Sequence, residues 1–218
     1  MHPANSNGKL PAVSKLTIDA RGKALPVEIK SNERTEAISI PYPSFVDERR
    51  SNRGFVDVRG RPDLAAEIAE CSASKKLQIL LMRLAASSSS FFSIGCDLGH
   101  HIDGDAPKGR RRAAGGYLHL TSSLYNDIKA DHWARLCNSV ADALKERVQM
   151  RDEWEVTFTL APVMINLDRY HKLTGSISIA FFAWAKTHQD ALSSRERLIA
   201  ILDEGLSDET VRSAFEMH

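Results

Sequence analysis

The sequence predicts an α+β fold, a two-layer sandwich in which a mainly antiparallel sheet carries helices on one face. Four segments alternate apolar residues with polar or small ones, and two longer segments carry apolar residues three and four positions apart. The chain is 43% hydrophobic over 218 residues, which is ordinary for a globular protein. Strands with one polar face favour an antiparallel sheet, because buried parallel strands are usually apolar on both faces.

An N-terminal, strand-rich arm is predicted over residues 1–60, packed on a sandwich domain of residues 61–218. Its apolar residues stand in pairs two positions apart, a spacing that places both side chains on one face of a strand. The pairs are Leu16 and Ile18, Val27 and Ile29, and Ile38 and Ile40. The polar segment 31–35 predicts a hairpin loop between the second and third pairs.

A helix, or two joined helices, is predicted over residues 62–86. Pro62 suits the first helical position, and the apolar stripe continues after a weak point at 72–74. The four serines at 87–90 end it.

The four alternating strands follow, near residues 92–98, 117–121, 153–160 and 176–181, with helices near 131–148 and 191–204. The first strand is expected to place Phe92, Ile94, Cys96 and Leu98 on one face. The third strand is expected to bury Trp154, Val156, Phe158 and Leu160 against the helix that bears Trp133, Leu136 and Val140. Gly205 suits the C-terminal cap of the last long helix, and a short helix is expected from residue 207.

Charge and motifs exclude several classes of protein. Lys and Arg number 29 and Asp and Glu 28, so the net charge of +1 argues against a protein that grips nucleic acid or anionic lipid with its whole surface. The longest apolar stretch has seven residues, 179–185, whereas a membrane helix needs about 20. The three cysteines form no CxxC pair, no signal peptide is visible, and no dinucleotide or phosphate-loop motif occurs. We therefore expect a soluble cytoplasmic protein without a cofactor and without a membrane partner.

The connection 99–116 between the first two strands is the strongest functional candidate, because such long loops are often functional. It holds possible metal ligands and a basic run able to bind phosphate or nucleic acid. The possible ligands are His100, His101 and Asp103, and the basic run is Lys108, Arg110, Arg111 and Arg112. The alternative is a solvated hairpin tip, since histidine clusters without family spacing and short basic runs have high false-positive rates.

A second candidate is a strand histidine. The residues His119-Leu120-Thr121 resemble one copy of the His-x-Ser/Thr motif of the 2H phosphoesterases, whose signature needs two copies. No second copy is found, because residues 171–174 have the wrong spacing. If the strands pair about the long loop, Asp97 lies beside Tyr117 with His119 on the diagonal, which makes His119 and Asp97 a candidate acid–base pair. The alternative is a polar sheet face in water.

The last strand carries a third signal, because Phe182 and Trp184 lie on the face opposite Ile177, Ile179 and Phe181. Exposed aromatic side chains there would form an apolar patch that favours association, so we expect either the N-terminal arm or a second copy to cover them. A homodimer with Phe182 or Trp184 at the contact is the preferred expectation.

These signals favour a non-catalytic binding or assembly protein that presents a sheet face or its basic loop to a protein or nucleic-acid partner. The alternative is a metal-dependent or histidine-based phosphodiesterase or nuclease that uses the 99–116 loop and His119. No family is assigned from the sequence.

Overall fold

The computed structural model describes residues 15–18, 30–31, 37–46, 51–99, 112–123, 130–149, 153–168 and 170–207. Within these residues the α+β class is confirmed. The strands are β1 (Lys15–Ile18), β2 (Lys30–Ser31), β3 (Ile38–Ile40), β4 (Phe45–Val46), β5 (Ser51–Asn52), β6 (Phe91–Asp97), β7 (Arg112–Ser122), β8 (Trp154–Leu167) and β9 (Tyr170–Ala185). The α-helices are α1 (Lys75–Leu84), α2 (Ala130–Arg147) and α3 (His188–Leu206), and 3-10 turns span Pro62–Glu67 and Ala69–Ser72.

The main sheet is mixed and curled. Strands β1, β8, β9, β7 and β6 lie side by side in that order, all antiparallel, while β2 and β3 pair parallel to β8. The predicted hairpin about residues 31–35 is therefore wrong. The 14-residue β8 offers one long edge, along which the arm advances from Lys30 opposite Thr159 to Ile38 opposite Val163. A short strand gains as many hydrogen bonds there as it would in a hairpin.

The larger core lies between the three helices and one face of β6 to β9, as the alternation predicts. Trp154, Val156, Phe158 and Leu160 are each at most 1% exposed and pack in one cluster with Trp133, Leu136 and Val140 of α2. Their alternation with half-buried residues on β8 confirms the predicted face of this strand.

A smaller core lies on the opposite face, beneath the arm. Ile40 of β3 packs there with Phe92, Ile94, Val163 and Ile165. The buried residues of β8 thus change from even to odd positions after Leu160, because the far half of the β8–β9 hairpin packs on the arm. This switch explains why both strands are longer than predicted and why residues 173–175, whose sequence is typical of a turn, belong to β9.

A β-bulge corrects the expected face of β6. The register with β7 shifts between Ser93 and Gly95, so Phe92 and Ile94 join the smaller core while Cys96 and Leu98 pack on the larger one. An extra residue in one strand moves every later side chain to the other face.

Two helix boundaries also differ from the prediction. The region 62–86 begins with two 3-10 turns, and α1 begins only after Ser74, whose hydroxyl accepts a hydrogen bond from the Leu77 amide at 3.0 Å. Gly205 lies inside α3 and not at its cap. A Cβ there would stand 3.2 Å from Val140 Cα, so this glycine permits the close approach of α2 and α3.

Two expectations stay predictions. The division into an arm and a domain involves residues 1–14, 19–29, 32–36 and 47–50, and the short last helix falls mainly on residues 208–218, all outside the described part. None of the described helices is both long and apolar enough to cross a membrane.

Candidate binding cleft at the edge of the sheet

A cleft of about 190 Å³ lies where the arm and the 3-10 turns meet β6, and we call it the edge cleft. Strand β6 is the last strand on its side of the described sheet, so its outer flank faces these segments. The edge cleft is lined by residues 93–97 of β6, Tyr117 of β7, Tyr42, residues 53–56, Val58 and residues 67–70.

The position of Tyr42 depends on a glycine. A Cβ on Gly95 would stand 3.2 Å from the Tyr42 hydroxyl and 3.8 Å from the Tyr117 ring. The tip of Tyr42 therefore occupies space that another residue at position 95 would take. Tyr42 also packs edge-to-face on Phe55, with ring centroids 6.0 Å apart.

The predicted pairing of Asp97 with Tyr117 is confirmed. The β6–β7 register places Asp97 opposite Tyr117 and Gly95 opposite His119, which leaves His119 on the diagonal from Asp97. Asp97 Oδ1 accepts a hydrogen bond from the Gly99 amide at 3.0 Å, which holds this carboxylate at the end of β6.

The edge cleft has a negative electrostatic character. Burial raises the pKa of Tyr42 to about 12, with further contributions from Tyr117, Cys96 and Glu70. The pKa of Tyr117 is also raised, first by burial and then by Asp97, Cys96 and Glu70. Both phenols are thus neutral at pH 7, and the charged lining residues are three carboxylates, those of Glu67, Glu70 and Asp97, and the guanidinium of Arg53.

Several polar groups of the edge cleft have no partner among the described residues. In the part of the chain that the structure describes, the Tyr42 and Tyr117 hydroxyls make no hydrogen bond, and Glu67 and Glu70 make no ion pair. Convergent polar groups in a partly apolar concavity are typical of ligand sites.

His119 is buried and hydrogen-bonded within the sheet. Its ring is 8% exposed, and burial lowers its pKa from 6.5 to about 4. Ser176 Oγ donates to the Ala161 carbonyl at 2.9 Å, so it accepts a hydrogen bond from His119 Nε2–H at 2.8 Å. His119 is neutral at pH 7 with its Nε2 proton engaged. The catalytic role expected for His119 and Asp97 stays a prediction, and this geometry favours a structural role for His119.

The thiols of this chain are protonated at neutral pH. Burial raises the pKa of Cys71 to about 11 and that of Cys137 to about 12, and it raises the pKa of Cys96, which lies in the edge cleft. A protonated thiol is a poor nucleophile, so these cysteines lack the activation that thiol catalysis needs.

The predicted metal and phosphate residues lie mostly outside the described residues. This holds for His100, His101, Asp103, Lys108, Arg110 and Arg111, whereas Arg112 begins β7 and is exposed. The described ranges contain no group of three side chains suited to holding a metal ion.

The aromatic pair of β9 is more covered than expected. Trp184 is 9% exposed, Phe182 is half-buried, and their ring centroids are 6.4 Å apart. Ile177, Ile179 and Phe181 belong to the helix-side core, so the predicted difference between the two faces is confirmed. The homodimer stays a prediction.

Sequence reasoning missed most of the edge cleft. Tyr42 lies between Pro41 and Pro43, which interrupt regular strand pairing, and Glu67 and Glu70 lie in the predicted helical region 62–86. Only Asp97 and Tyr117 were predicted to be neighbours, because both lie on strands whose register follows from alternation.

The chain matches no protein-family model, no curated protein and no solved structure. Its function is therefore inferred from its own residues.

Proposed function

We propose that this protein is a non-catalytic binding protein that engages a protein partner through the edge cleft. One observation carries the proposal: two tyrosine hydroxyls and the carboxylates of Glu67 and Glu70 converge on this cleft without a partner among the described residues. Polar groups that have no partner among the described residues are available to a ligand.

The state of the reactive side chains supports a role without catalysis. His119 is neutral, and its Nε2 proton is engaged by Ser176. The pKa values of the three thiols are raised by burial. A general base works best with a pKa near the operating pH, and about 4 is far below it.

The proposal also includes the two-layer architecture, the self-association, the nucleic-acid binding and the cytoplasmic location that the sequence predicts. The helices on one sheet face form the closed layer of a two-layer sandwich, and the edge of the sheet beside β6 presents the binding surface. Self-association through Phe182 or Trp184, and nucleic-acid binding through the basic residues 108–112, would add to this surface without replacing the edge cleft. A cytoplasmic location agrees with three free cysteines.

The experiment is a selection of random peptides displayed on phage against the immobilised full-length chain. The dissociation constants of enriched peptides are then measured for the wild type and for the double variant Tyr42→Phe/Tyr117→Phe. Each lost hydrogen bond is worth about 0.5–1.5 kcal/mol, so we expect the loss of both to weaken binding by about 5- to 150-fold. The melting temperature should stay unchanged, because these hydroxyls have no partner in the described residues.

Two outcomes would contradict the proposal. The first is a selection that enriches no peptide, or only peptides that bind the double variant as tightly as the wild type. The second is hydrolysis of a simple phosphodiester by the wild type that is lost in His119→Gln, which would restore the phosphodiesterase alternative.

A further inference from the structure

Resting on the proposed function, we propose that the edge cleft accepts an arginine side chain from an extended segment of the partner protein. The inference joins the charge, the aromatic walls and the size of the cleft. Each of these restricts the occupant in a different way.

The charge of the lining residues favours a cation. Three carboxylates, those of Glu67, Glu70 and Asp97, line the described edge cleft, against the single guanidinium of Arg53. Neither Glu67 nor Glu70 is neutralised by an ion pair within the described residues. An anionic occupant such as a phosphate would meet like charges there, which costs several kcal/mol at an interface by the general magnitude of such repulsion.

The aromatic walls favour a cation that can stack. Tyr42, Phe55 and Tyr117 all line the edge cleft, and cations are attracted to ring faces within about 6 Å of the centroid. The protein makes such a contact itself at another site, where the Arg59 guanidinium lies 5.3 Å from the centroid of Phe92. A planar guanidinium can stack on one ring and still donate to carboxylates, whereas an ammonium acts as a point charge.

The volume of the edge cleft suits a single side chain better than a whole drug-sized ligand. Pockets for drug-sized ligands and cofactors measure about 300–1,000 Å³, and the edge cleft holds about 190 Å³. A single exposed ion pair contributes about 0–1 kcal/mol, so a free guanidinium compound would bind only weakly. Useful affinity therefore needs a longer segment that makes further contacts, and the flank of β6 lies beside the cleft in the described sheet.

The test compares peptides that differ in one side chain. For a peptide that depends on the edge cleft, each arginine is replaced in turn by citrulline, which has nearly the same shape without the charge. At one position of the peptide, replacement of arginine by citrulline should raise the dissociation constant for the wild-type protein at least tenfold. We call the ratio of the dissociation constants of the citrulline and arginine peptides the discrimination. In the variant Glu70→Gln/Asp97→Asn it should shrink to about threefold or less. The control Asp142→Asn removes a carboxylate of α2 that does not line the edge cleft, and it should retain full discrimination.

The possible failures are distinguishable. Peptides that depend on the tyrosine hydroxyls but tolerate every citrulline, or that carry no arginine, would overturn the arginine inference and leave the proposed function intact. A discrimination that persists after all three carboxylates are removed, in Glu67→Gln/Glu70→Gln/Asp97→Asn, would also overturn it, because the cation would then bind elsewhere. Absence of any peptide that depends on the edge cleft would instead contradict the proposed function.

Discussion

The burial of His119 predicts a specific loss of stability in acid. Its pKa is about 4 in the folded chain and 6.5 when exposed, so between these values the unfolded chain binds a proton that the folded chain does not. The free energy of unfolding therefore falls as the pH drops from about 6.5 to about 4, because proton binding favours the unfolded state. From the two pKa values, the loss due to His119 alone between pH 7 and pH 4.5 is about 2 kcal/mol.

The assay is urea unfolding at pH 7.0 and pH 4.5 for the wild type and His119→Gln. The glutamine amide can donate a hydrogen bond to Ser176 but does not titrate, so the variant should lose about 2 kcal/mol less than the wild type over this interval. His171→Gln is the matched control, because His171 is exposed on β9 and should leave the wild-type pH dependence in place.

Equal losses in the wild type and His119→Gln would refute the reasoning. They would mean that His119 is hydrated in the folded chain, or that its imidazolium finds an acceptor there. Either result would reopen the acid–base role expected from the sequence.

Phe158→Ala should lower the free energy of unfolding in urea by about 3–5 kcal/mol, because Phe158 is fully buried; no change would mean that the β8 face is wrong. Gly115→Ala should cost about 1–3 kcal/mol, since its Cβ would lie 2.7 Å from the Phe181 carbonyl oxygen. Sedimentation should show a dimer at micromolar concentration that Trp184→Glu dissociates, and a monomeric wild type would contradict self-association. If the basic loop binds an oligonucleotide, replacing the three arginines at 110–112 with alanine should flatten the salt dependence of the dissociation constant.

Local sequence patterns determined those features of the fold that depend on which face of a single strand or helix is buried. The buried face of β8 and the stripe of α2 followed from spacing, because each packs on the single large core. The pairing of Asp97 with Tyr117 followed from two strands joined by one connection. In each case the spacing of the apolar residues within one segment determines which face of that segment is buried.

Only the tertiary structure decided where burial changes from one face to the other. The bulge at Ser93–Gly95 and the switch on β8 after Leu160 depend on the arm lying over the far half of the sheet. The edge cleft has the same origin, since Tyr42, Glu70 and Tyr117 come from three distant segments. Side-chain spacing reports burial within one element, whereas a cleft forms from the packing of several elements, and no local period encodes which segments meet.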